Sequence, residues 1–156
     1  MARNQLGVKF TFHLHATHLK PAGFRKIGAT SVRPRTGYME MYNIQGSDWN
    51  SAGNPWKFYL NVLVRLDDLG PLQGHRATPT CYHGDARSNG IIEKSPADFS
   101  LTDRNIEAVA AGVAEIIIFA ITELISDMLP LVRERALTGL YSPLPVPASW
   151  LGANEV

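Results

Sequence analysis

Leu19-Lys-Pro-Ala-Gly-Phe-Arg-Lys-Ile-Gly28, Tyr38-Met-Glu-Met-Tyr-Asn-Ile-Gln-Gly-Ser47 and Trp56-Lys-Phe-Tyr-Leu-Asn-Val62 decide the fold. Pro21 and Gly23 stop whatever element precedes them. The second stretch is rich in aromatic and apolar strand formers up to Gln45. In the third, Trp56, Phe58, Leu60, Val62 and Val64 alternate with Lys57, Tyr59, Asn61, Leu63 and Arg65. That two-residue period makes a strand with one apolar and one mixed face, and it puts Tyr59, Asn61 and Arg65 on the mixed face. The turn formers of residues 46–55 join the two strands.

Outward from this pair, Ile27 to Val32 predicts a short strand ended by Arg33-Pro34-Arg35. The first twenty residues read two ways. Val8, Phe10, Phe12 and Leu14 alternate as in a strand, whereas Leu6, Phe10 and Leu14 also fit a helix. Residues 67–99 are irregular, with a short strand expected at Thr80 to His83, and their length invites a functional-loop reading. A long helix follows, capped by Thr102 or Asp103. Its stripe runs through Ile106, Val109, Ala110, Val113, Ile117, Ala120, Ile121, Leu124 and Met128. Ile116, Ile118 and Phe119 widen the stripe, as in a helix covered on more than one side or forming a dimer seam. Pro130 is expected to kink or end it.

Apolar residues make up 45% and charged residues 19% of the chain, which fits a globular protein and excludes a disordered one. At 156 residues a single domain, 1–156, is expected, with a proline-rich extended tail over 142–156. Glu115, Glu123 and Asp127 interrupt the long apolar run, which argues against a membrane span. The lone Cys81 suits a reducing compartment, so a cytoplasmic location is expected. Residues 1–39 hold seven Lys or Arg and no acid, whereas residues 98–134 hold seven acids against Arg104 and Arg133. Two mutually attracting solvated faces account for this; a basic surface for nucleic acid is the less favoured alternative.

No catalytic signature is present, and no cofactor or metal is expected. His13, His15 and His18 do not share one face in either reading, so exposed imidazoles are favoured over a metal site. Cys81, His83 and Asp85 share a strand face, but a nucleophilic Cys81 competes with a small buried apolar one. Gln45 and Asn61 are amides on strands that need partners, either the 46–55 loop or a ligand. Arg65, Arg76 and Arg87 form an anion site or pair with Asp67, Asp68 and Asp85. Trp49 lies in a polar loop and Trp150 in the tail; each is a candidate partner contact. The candidate binding set is therefore Gln45, Ser47, Trp49, Asn61, Arg65, Arg76, Cys81, His83 and Arg87.

Leu19-Lys20…Gly23-Phe24, Asn43-Ile44-Gln45-Gly46-Ser47 and Lys57-Phe58-Tyr59-Leu60-Asn61-Val62 resemble an uncharacterised bacterial family known only as domain of unknown function 4304. Cys81-Tyr82-His83…Arg87 resembles it more loosely, and the match covers roughly residues 10–90. The resemblance implies an opening helix over residues 3–20 and no known reaction; some comparable families serve as immunity or defence accessories. With that helix the expected fold is α+β: an antiparallel sheet of about four to five strands, with an N-terminal helix and a long C-terminal helix packed on one face. The expected function is a non-enzymatic module that holds a protein partner or ligand, with a homodimer as an option. A small enzyme with a site around Gln45, Asn61, Cys81, His83 and Arg87 is the alternative.

Overall fold

The computed structural model describes residues 5–50, 55–139 and 143–151; parts of the expected 46–55 loop and of the expected tail lie outside them. Helix α1 (Gln5–Leu14) runs into a wide π turn (His15–Leu19) and a 3₁₀ turn (Lys20–Ala22). The strand alternative for the opening residues is thus overturned. Leu6, Phe10 and Leu14 are buried, while Val8 and Phe12 point to solvent at 65% and 68% exposure. The four-residue spacing governed burial and the alternation was incidental.

Among the described residues six strands follow, all paired antiparallel, in the expected α+β arrangement. Strands β1 (Arg25–Ile27), β2 (Thr30–Arg35), β3 (Tyr38–Gly46), β4 (Trp56–Leu66) and β5 (Gly84–Arg87) lie in sequence order. Strand β6 (Phe99–Leu101) joins the opening residues of β4. The single strand expected at Ile27–Val32 is a hairpin instead. Gly28, at φ +60°, takes the first central position of its two-residue turn, a conformation that L side chains rarely adopt. The strand expected at Thr80–His83 begins one residue after His83, because the backbone first turns with Cys81 N–H bonding to Thr78 O.

The long helix starts at Ile106, not at Thr102 or Asp103. Asn105 occupies the cap position, and its Oδ1 accepts from the Thr102 N–H, so that residues 102–105 close into a turn. The helix runs as α2 (Ile106–Glu115), a π segment (Ile116–Ile121) and α3 (Thr122–Thr138). Pro130 sits inside α3 on its exposed side and does not end it. Val113, Ile117, Ile121 and Ile125 are buried at strict four-residue spacing. A π segment winds more slowly than an α-helix, so the inward position moves from Leu124 to Ile125. By length and composition alone Ile106–Thr138 could cross a membrane, but its buried residues pack on the sheet.

The core lies between this helix, α1 and one sheet face carrying Tyr38, Tyr42, Ile44, Phe58, Leu60, Val62 and Val64. The burial of large apolar side chains, at about 1.5–3 kcal/mol each, makes this layer contact the main stabilising term. Trp56 seals one end against two glycines: a Cβ on Gly7 or Gly46 would lie 2.8 or 2.7 Å from its ring.

One carboxylate penetrates that core. Glu40 is 0% exposed and faces inward from β3. Its Oε1 accepts from Arg33 Nε at 2.5 Å and its Oε2 from the Tyr42 hydroxyl at 2.7 Å. The Thr122 hydroxyl lies 3.0 Å from Oε2 and 2.8 Å from Ile117 O, at the end of the π segment. Arg33 also donates to Ala22 O. Burial, then the Glu40 charge, pushes the Tyr42 phenol well above its usual range, so it stays a neutral donor. Glu40 thus ties β2 and β3 to the long helix.

Candidate functional site

Among the described residues the opposite sheet face lacks α1 and the long helix; at one end the short helix α4 (Ala148–Leu151) sets Trp150 over Arg65. Met39, Met41, Leu63 and Val32 form a small apolar cluster there. Beside it runs a polar row set by strand register: Thr30 pairs with Asn43, Asn43 with Asn61, and Asn61 with Arg87. Three strand spacings make this row about 14 Å wide.

Its members bond along the row. Asn43 Nδ2 donates to Thr30 Oγ1 at 3.0 Å, and Asn61 Nδ2 donates to Asn43 Oδ1 at 3.3 Å and to Gln45 Oε1 at 2.9 Å. These bonds orient the amides and leave the Gln45 Nε2 donors and the Asn61 Oδ1 acceptor without a hydrogen bond among the described residues. Arg87 closes the row with its guanidinium carbon 3.5 Å above the Tyr59 ring. The row floors a depression of about 410 Å³, with Thr80, Tyr82 and Asp85 on its wall. Burial first, then Asp85, raises the Tyr82 phenol, which faces the depression as a neutral hydroxyl.

The expected set is therefore split. Gln45, Asn61 and Arg87 come together, as their shared strand parity requires. Ser47 and Trp49 sit beyond the end of β3: the Ser47 hydroxyl accepts from the Trp49 N–H, and Trp49 is 92% exposed. The loop there is held by Asn50, which bonds the Lys57 backbone on both sides, and not by Gln45 or Asn61. Arg65 lies at the other end of the sheet face, and Arg76 is exposed on the 72–79 loop. Cys81 is buried and free.

His83 is buried too, and it does structural work in place of the ligand contact expected of it. Its Nδ1 accepts from the Leu66 N–H at 2.9 Å, so Nε2 carries the proton and donates to Gly70 O at 2.6 Å. Both nitrogens are consumed in holding the chain as it leaves β4. Neither ring nitrogen of His83 is left for a ligand, and among the described residues no group of three His, Cys, Asp or Glu could hold a metal. His13 and His18 meet edge to face, while His15 stands apart with a buried Nδ1.

Burial holds His83 below its ordinary value near 6.5, and His15 shifts the same way. The unfolded chain therefore binds protons that the fold refuses. Stability should be full above pH 6.5 and fall as pH drops from there towards the folded-state values. We expect the melting temperature to be lower at pH 5.5 than at pH 7.5, and His83→Gln to flatten most of that slope. An unchanged slope in the variant would remove His83 from this role.

Thr30, Asn43, Tyr82 and Asp85 were missed as site residues. Asn43 was open to sequence reasoning, since it stands two residues from Gln45 and so shares its face. Thr30, Tyr82 and Asp85 depend on register and on loop placement, which no local pattern encodes. No known family model, curated protein sequence or solved structure matches the chain.

Proposed function

We propose that this chain is a non-enzymatic cytoplasmic binding module that holds a protein partner on the sheet face opposite the long helix. The observation that carries the reading is the in-register row Thr30–Asn43–Asn61–Arg87, with oriented amides and an aromatic-backed guanidinium on an exposed surface. The Gln45 donor pair and the Asn61 acceptor, without a hydrogen bond among the described residues, complement a peptide group, which offers one acceptor and one donor. Arg and Tyr are enriched among the residues that dominate binding energy at protein interfaces, and Arg87, Tyr59 and Tyr82 supply them on this face. The free thiol of Cys81 suits the reducing location. The partial resemblance to domain of unknown function 4304 fits a small accessory protein, and an immunity-type inhibitor is one form such a module takes.

The test compares affinity capture from the native host by the wild type and by Asn61→Ala/Arg87→Ala. We expect a partner recovered by the wild type to be lost by the variant, at unchanged melting temperature. Equal recovery by both would contradict the assignment. A homodimer through the helix layer is the second reading, motivated by Phe119 at 73% exposure; native mass spectrometry separates monomer from dimer.

A further inference from the structure

Arg65 is 2% exposed, and no carboxylate lies within ion-pair distance of it among the described residues. Its Nη1 reaches only two neutral carbonyls, Thr78 O at 3.4 Å and Pro79 O at 3.2 Å. Its Nη2 reaches the Met39 sulfur at 3.5 Å. The Trp150 ring lies 4.3 Å from its guanidinium carbon, which offsets part of the charge. A guanidinium has five donors and cannot shed its proton, so a buried one is costly without an anion. Burial is the main force lowering its affinity for a proton; Cys81 and Asp67 oppose this and Arg25 adds to it.

Beside Arg65 is a pocket of about 250 Å³ whose walls include Arg25, Thr78, Ser149 and Trp150. Arg25 projects from the edge strand β1 on the same sheet face, and it forms no ion pair among the described residues. Two guanidiniums without an ion pair among the described residues therefore share one small cavity, with two hydroxyl-bearing residues on its wall. The Trp150 indole N–H is buried without an acceptor among the described residues, a second unmet polar demand at the same place. A bound anion would relieve the repulsion between the two cations.

We propose that the pocket between Arg25, Arg65 and Trp150 binds phosphate, either the free ion or a small phosphomonoester. Two positive charges complement a dianion better than a carboxylate, and a tetrahedral anion has enough oxygens to take donors from both guanidiniums and a hydroxyl. The site is separate from the amide row, since Arg65 lies four residues, about 13 Å, along β4 from Asn61. Because bound phosphate would neutralise Arg65 under Trp150, it would also fasten the C-terminal segment to the sheet.

Isothermal titration of the full chain with inorganic phosphate, methyl phosphate and acetate at matched ionic strength tests this. We expect saturable one-to-one binding of phosphate and weak or absent binding of acetate. Arg25→Gln, at an exposed position where folding is not at risk, should weaken phosphate by about tenfold or more, as loss of one charge-assisted contact implies. Methyl phosphate binding as well as phosphate would identify an esterified ligand, and failure of methyl phosphate alone would identify the free ion; both agree with the proposal. No saturable phosphate binding would overturn it. So would acetate binding as tightly as phosphate, or an affinity unchanged in both Arg25→Gln and Arg65→Lys.

Discussion

Glu40→Ala should lower the unfolding free energy by about 3–5 kcal/mol, the cost of leaving one partner of a buried pair uncompensated. The variant leaves the Arg33 guanidinium in a largely buried position with Ala22 O and Thr122 Oγ1 as its remaining hydrogen-bond partners. It also strips Tyr42 of the acceptor 2.7 Å away. Both losses fall where the sheet meets the long helix, so the damage reaches the main layer contact. Replacing both partners, as Glu40→Met with Arg33→Met, should recover much of the loss, because two apolar groups leave no orphaned charge. Urea denaturation of the three proteins measures this. A Glu40→Ala variant within about 1 kcal/mol of wild type, the scale of an ordinary substitution, would contradict the account of the network.

Gly70→Ala should release the C-terminal segment. A Cβ at this position would stand 1.9 Å from Leu144 O and 2.3 Å from Pro145 O, both backbone atoms with nowhere to go. The segment must then lift, breaking the Leu144 N–H bond to Pro71 O and the bridge between Leu72 and Pro143. Trp150 would leave Arg65 and its edge-to-face contact with His83. Losing the burial of one large side chain costs about 1.5–3 kcal/mol, and strain at Gly70 adds to it. Tryptophan emission should shift to longer wavelength together with a lower melting temperature. Native emission and stability in this variant would show that residues 143–151 do not depend on the close approach at Gly70.

Residue pattern reached different parts of this molecule unequally. Strands β3 and β4 were legible, and so were the two faces of β4, because strand parity is local and Trp56 to Val64 hold it without a break. Gln45 and Asn61 were both singled out as amides on strands, but their meeting on one face, the centre of the candidate site, depends on the β3–β4 register. Strand β6 was not legible: Phe99-Ser-Leu101 is too short to show a period, and only pairing with Trp56–Phe58 makes it a strand. The π segment hid the move of the stripe from Leu124 to Ile125, since a pattern read at 3.6 residues per turn assumes uniform winding. Glu40 shares the strand parity of Tyr38 and Tyr42, which points inward, but its partners Arg33 and Thr122 come from other elements and no local pattern shows them. The placing of Arg65 under Trp150 joins residues 85 positions apart, a distance at which no spacing rule operates.

The central claim, that the sheet face opposite the long helix is the binding surface, is tested most directly by photo-crosslinking in the native host. A photoreactive residue replaces Tyr59 on that face or, in a second protein, Glu123 on the helix layer. The account predicts a discrete crosslinked product from position 59, lost when Arg87→Ala is added, and none from position 123. A product from position 123 with nothing from position 59 would contradict it.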